Sequence, residues 1–231
     1  LTERVEDLLI EKMKSAESQG ERITYYRAFL GAASSEKARK ILKDHLAGRG
    51  KSKTALTGGL PPLRTKDKFD IVTKLIVLGD KDAPKLLAEL EKTETDDAAK
   101  RYAYAAKAGY ATAENKEKFW NDFVTNKDIS ESWIEEAVGV WNSPDQSKLT
   151  LPYLEKALDE LPNLKQTRKI FFINGWLGSF IGGQKSEEAL KTVNTFLKKN
   201  PDLDIDLKRK ILERLDGLER AVNSRHKFTN R

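Results

Sequence analysis

Apolar residues recur at a helical spacing along almost the whole chain, and this pattern constrains the fold more than any other feature. A clear example is the set Trp133, Ile134, Ala137, Val138 and Trp141. Side chains three and four positions apart share one face of an α-helix, whereas a strand would alternate apolar and polar residues. The short apolar run 170–173 is also predicted to be helical, because its neighbours keep the 3.6-residue spacing. We therefore expect an all-α fold, an α-solenoid or superhelical array of antiparallel helix hairpins with irregular, HEAT-like repeats.

Individual helices and their ends follow from the same pattern. The first helix is expected to use one face that carries Val5, Leu8, Leu9, Lys12 and Met13. Asn163 followed by Gln166 resembles a capping box and predicts the start of a helix that runs through Leu177. The last two helices are predicted at about 186–199 and 204–224.

The chain is predicted to form a single helical domain over residues 1–231. The first helices occupy 1–47, a long loop occupies 48–64, and the main helical array occupies 65–231. The loop is predicted because it holds four of the 14 glycines together with Pro61-Pro62. Since the chain starts at Leu1 without an initiator methionine, we expect a fragment of a longer chain.

The charge of the chain does not favour a nucleic-acid partner. The net charge is +6, but the 42 basic residues are interleaved with 36 acidic residues at helical spacing, as on solvated helix faces. A nucleic-acid surface more often shows a concentrated stripe of Lys and Arg with aromatic residues. The best candidate for an anion-binding patch is Arg49-Gly50-Lys51-Ser52-Lys53. No apolar run reaches the roughly 20 residues that span a membrane, so no membrane span is predicted.

The residues that metal and acid–base chemistry require are scarce. The chain has no cysteine, and its two histidines are His45 and His226. Neither belongs to a His-Glu-x-x-His zinc motif, in which two histidines lie four residues apart on one helix. We interpret His45 as a half-buried structural histidine and His226 as solvated. The sequence therefore predicts no catalytic, cofactor-binding or metal-binding residues on this segment.

The segment from Gly178 to Ser186 approaches a phosphate-binding loop but departs from it at the decisive position. A phosphate-binding loop requires Lys directly after its second glycine, because backbone amides and the Lys must converge on one phosphate. Here Gln184 separates Gly183 from Lys185. We interpret the segment as a helix that ends in glycines, a loop, and a second helix capped by Ser186.

The four tryptophans are expected to pack between helices, because most lie at core positions: Trp120, Trp133, Trp141 and Trp176. A helical array commonly binds extended ligands on its concave face. Peptide contacts on such a face are therefore predicted for Trp141, Arg168, Phe172 and Trp176.

The segment Trp133–Pro162 resembles a known family. A helix ends at Trp141, a polar turn follows over Asn142–Gln146, and the next helix opens near Pro152-Tyr153. This order is similar to the C-terminal helical, ERAP-like domain of aminopeptidase N-type zinc metallopeptidases, and most similar to the bacterial members. Further segments resemble the same domain in the same order: Phe69–Gly79, Lys100–Trp120, Leu161–Arg168, Ala189–Leu197 and Leu207–Arg225.

The resemblance implies a function for a larger protein. In this family a separate domain carries the zinc site, and the helical domain encloses the active-site chamber and limits peptide access. The implied partners are an upstream catalytic domain of the same chain and a peptide substrate, and the implied cofactor is zinc in that catalytic domain. The alternative is a free-standing helical-repeat adaptor that binds a protein or peptide. The sequence leaves the compartment open.

Overall fold

The computed structural model describes residues 2–48 and 63–229. These residues form helices and turns, without a strand, so the all-α prediction is confirmed for the described part of the chain. The chain divides into two compact units, Leu1–Ala106 and Lys107–Arg231. Most of the predicted loop 48–64, including the basic patch Arg49–Lys53, lies outside the described residues. The prediction of a single domain stays a prediction.

The first unit pairs its helices as hairpins, with α1 against α2 and α4 against α5. Its helices are α1 (Thr2–Ser15), α2 (Gln19–Ala32), α3 (Glu36–Leu46), α4 (Thr65–Val77), α5 (Ala83–Thr93) and α6 (Asp97–Ala108), whose last turn extends into the second unit. Gly79 ends α4 in the left-handed conformation, with φ at 69°, which glycine adopts without steric cost. The turn that follows presents the buried carboxylate of Asp80 to Lys43 at 3.2 Å, and this ion pair joins α3 to the α4–α5 turn.

The second unit also consists of packed neighbours, with α8 against α12 and α13 against both α10 and α14. Its helices are α7 (Ala113–Thr125), α8 (Glu131–Trp141), α9 (Ser147–Thr150), α10 (Leu154–Asp159), α11 (Leu161–Thr167), α12 (Ile170–Phe180), α13 (Glu187–Lys199) and α14 (Ile205–Thr229). Short 3-10 turns cover Pro144–Gln146 and Leu151–Tyr153. The second helix expected in the hairpin 133–162 is therefore a series of short helical turns.

Two predictions about helix ends can be compared with this fold. Ser186 caps α13 as predicted, since its hydroxyl accepts a hydrogen bond from the Ala189 amide at 3.1 Å. The capping box at Asn163 is wrong, because Asn163 lies inside α11 and its side chain donates to Glu160. The chain breaks at Arg168, whose backbone is extended, and α12 starts afresh after Lys169.

Candidate functional site

The residues predicted to contact peptide all lie in the second unit, but their exposure differs. Trp141, Phe172 and Trp176 are buried, with exposed fractions of 0%, 1% and 1%. Arg168 follows α11, and its side chain is 24% exposed. Among the four, Arg168 alone presents atoms to the surface.

The buried aromatic side chains form a continuous cluster around Trp176. The ring of Phe180 lies 4.4 Å from that of Trp176, and the ring of Phe172 stacks on it at 5.8 Å. The indole Nε1 of Trp176 donates a hydrogen bond to the Ala157 carbonyl at 3.0 Å, which satisfies the polar group of a buried ring. Trp141 joins the cluster through Phe180 at 5.5 Å. This cluster packs α8, α10 and α12 together.

Lys116 lies beneath this cluster and is fully buried, with an exposed fraction of 0%. Its Nζ donates to the carbonyl oxygens of Trp141 at 2.7 Å and Ala108 at 3.3 Å, and it lies 5.3 Å from the Trp141 ring. Both carbonyls belong to the last residues of helices, where backbone acceptors lack helical partners. Burial lowers the pKa of Lys116 to about 7. Within the second unit, one amine thus ties α7 to Ala108 and to the end of α8.

Two buried glutamine side chains of the second unit make further hydrogen bonds. Gln146 donates to the Gly109 carbonyl at 2.7 Å, and Gln184 donates to the Thr150 hydroxyl at 2.9 Å. A side chain on Gly183 would overlap the backbone carbonyl of Asn142, so glycine is required at this close approach. These bonds fix the turns that follow α8 and α12.

The accessible edge of the site is the junction between α11 and α12. The Arg168 guanidinium lies 3.9 Å from the Glu131 carboxylate and 5.2 Å from the Phe172 ring centroid. Beyond it, Ile170 and Phe171 are exposed by 47% and 77%. This edge offers a cation, hydrogen-bond donors and apolar surface to a ligand.

A groove of about 670 Å³ lies between α11 and the turn that joins α13 to α14. Lys165 on one wall pairs with Asp204 on the other at 2.5 Å. This hydrogen bond and backbone amides hold the pKa of Asp204 below its usual value. Asp204 also accepts from the Leu207 amide and so caps α14. We interpret the pair as a structural tie between the helices.

The two histidines lie in different units. His45 is half-buried in the first unit, where its ring meets the edge of Tyr26 at 5.3 Å. Burial lowers the pKa of His45, and the nearby Asp67 opposes this effect. His226 is largely exposed in the second unit and pairs with Glu187. Within residues 2–48 and 63–229, no group of three His, Cys, Asp or Glu side chains is placed to hold a metal ion.

Lys116 is not among the residues predicted from the sequence, although the helical pattern carries a signal for it. Lys116 precedes the buried Phe119 and Phe123 by three and seven positions, which is the spacing of one helix face. A lysine at a core position of an amphipathic helix predicts a buried amine with backbone partners.

Comparison with known sequence families gives one result that bears on this chain. No curated protein matches the sequence significantly. In the described part of the chain, no helix has both the length and the apolar composition needed to cross a bilayer. The sequence profile of the ERAP1-like C-terminal domain matches residues 2–220, which include nearly all of both units. The match implies a catalytic domain as the partner of this one. The chain therefore belongs to the ERAP1-like C-terminal domain family of aminopeptidases.

Proposed function

We propose that this chain encloses the active-site chamber of a zinc aminopeptidase and limits which peptides enter it. The catalytic domain of the same polypeptide would release N-terminal amino acids and would bind the zinc ion, with no catalytic or metal-binding residue supplied by this chain. The observation that carries the proposal is the extent of the family match, residues 2–220. The match extends over helices of both units, so the domain as a whole is what the family shares.

The packing of the second unit suits a chamber wall. A wall that selects peptides by size must keep its shape, and aromatic packing with satisfied buried polar groups favours a single rigid arrangement. In this proposal Trp141, Phe172 and Trp176 are core residues that support the wall and do not line it. Their burial means that a peptide would touch the surface that they support.

We assign direct peptide contact to the edge formed by Arg168 and Phe171. The Arg168 guanidinium carries donors suited to peptide carbonyl and carboxylate groups. Phe171, at 77% exposed, offers apolar area for a peptide side chain. These contacts would act on longer peptides, because a single amino-acid derivative in the catalytic domain would not reach this chain.

The test compares substrates of different size with the full polypeptide that carries this chain. An amino-acid p-nitroanilide and a peptide of about ten residues should both be cleaved. The same N-terminal residue on a folded globular protein should be released at least roughly a hundredfold more slowly, because a closed chamber excludes it. Equal rates on the peptide and on the folded protein would contradict the enclosing role.

A further inference from the structure

Helix α1 carries apolar side chains on two opposite sides. Ile10 and Met13 are buried in the first unit, with exposed fractions of 5% and 3%. Val5 and Leu8 are exposed by 40% and 51%. At about 100° per residue, Leu8 lies roughly 160° around the helix from Ile10. The face that carries Val5 and Leu8 is called the outer face of α1 below.

The rotation of α1 is fixed by Glu6, so the outer face cannot turn inward. The buried carboxylate of Glu6 accepts hydrogen bonds from the Ser34 amide at 2.7 Å and the Ser35 hydroxyl at 2.5 Å. Turning Leu8 toward the core would expose Ile10. It would also remove these hydrogen bonds from the buried carboxylate of Glu6, which is strongly unfavourable. The outer face is therefore a stable feature of the unit.

The size of the outer face indicates what kind of partner it suits. Two side chains provide far less than the roughly 1,200 Å² that a stable interface between separate proteins buries. A partner joined to the same polypeptide has an effective concentration of about 1 mM, so a small apolar contact suffices. Because the family places this domain at the C-terminal end of an aminopeptidase, the polypeptide before α1 leads to the rest of the enzyme.

We infer that the outer face of α1 docks against the domain that precedes it in the same polypeptide, through an apolar surface on that domain. This inference rests on the proposed function. Other exposed apolar residues, such as Leu212 on α14 at 47%, lie far along the chain from that connection. Leu212 is therefore a matched control of similar exposure.

The test measures amide hydrogen exchange of residues 2–15 in the full polypeptide and in the 231-residue chain. Exchange in α1 should be about tenfold slower in the full polypeptide. Leu8→Glu should remove this protection, whereas Leu212→Glu should leave it unchanged. In the 231-residue chain, Leu8→Glu should not alter exchange in α1, because the side chain is already exposed there. Leu8→Ser provides a milder variant if the glutamate disturbs folding.

Each outcome separates this inference from the proposed function. Equal exchange of α1 in both proteins, with aminopeptidase activity present, would overturn the docking surface alone. Protection of α1 without aminopeptidase activity would overturn the proposed function alone. If the 231-residue chain forms a dimer that Leu8→Glu dissociates, the outer face binds a second copy, and the preceding domain is the wrong occupant.

Discussion

Replacing Lys116 by Met tests whether burial sets the charge state of this amine. Met keeps the length and most of the volume of the side chain but cannot donate to the carbonyls of Trp141 and Ala108. The wild-type amine is fully buried, and burial lowers its pKa from 10.5 to about 7. Its contribution to stability should therefore change with pH in a way that Met cannot reproduce.

The direction of this pH dependence follows from the number of protons that the folded and unfolded chains bind. Between pH 7 and pH 10 the unfolded chain holds the Lys116 proton, whereas the folded chain has lost it. Stability rises with pH when the unfolded state binds more protons, so the cost of burying this lysine is greatest below pH 7 and is relieved as the pH rises. At 1.36 kcal/mol per pKa unit, the free energy of unfolding of the wild type should gain about 3.5 kcal/mol over the variant between pH 7 and pH 10.

Urea unfolding followed by tryptophan fluorescence provides the assay. All four tryptophans lie in the second unit, so the signal reports the unit that contains Lys116. Lys118→Met on the same helix is the matched control, because the side chain of Lys118 is 64% exposed. If the difference in free energy of unfolding between the wild type and Lys116→Met is the same at pH 7 and pH 10, the expected effect of burial on the pKa is refuted. That result would mean that the backbone carbonyls keep the ammonium charged throughout.

Further predictions concern backbone packing, a buried carboxylate and the edge formed by Arg168 and Phe171. Gly183→Ala should lower the free energy of unfolding by about 2 kcal/mol through overlap with backbone carbonyls. Gly175→Ala, where a methyl group meets nothing within 4 Å, should raise it by about 1 kcal/mol in the same urea titration. Burial would raise the pKa of Glu6, but hydrogen bonds from Ser35 and its neighbour hold the pKa below 4.5. Glu6→Gln should therefore cost about 2 kcal/mol at pH 7, and the cost should fall as the pH drops through the pKa of the folded protein. A cost independent of pH would contradict this assignment. In the full polypeptide, Arg168→Ala should raise KM for a ten-residue peptide about tenfold and leave an amino-acid p-nitroanilide unaffected, which steady-state kinetics would show. An equal change in KM for both substrates would mean that Arg168 does not act by contacting the longer peptide.

The sequence predicted the helices well because helical spacing needs only local information. It predicted the face of α1 less well. Met13 is buried as expected, but Val5 and Leu8 are exposed, and the charged Glu6 lies in the core. A buried carboxylate is stable when several donors meet it, and those donors come from Ser34 and Ser35. No local pattern indicates a bond between residues so far apart in the chain.

The second unit shows the same limit at its candidate site. Core positions for Trp141 and Trp176 follow from the helical pattern, and both are buried. The break at Arg168 does not follow from the helical pattern, because Asn163 and Gln166 resemble a helix start although both lie inside α11. Which side chains remain accessible depends on the packing of α8 and α12 from distant parts of the chain. The assignment of peptide contacts therefore needed the structure to separate Arg168 from its buried neighbours.

We propose that this chain is the helical domain of a zinc aminopeptidase. The most direct test is release of p-nitroaniline from amino-acid p-nitroanilides by the full polypeptide, measured before and after treatment with a metal chelator. We predict turnover that the chelator abolishes and added zinc restores. Absence of turnover, or turnover that the chelator leaves intact, would contradict the claim.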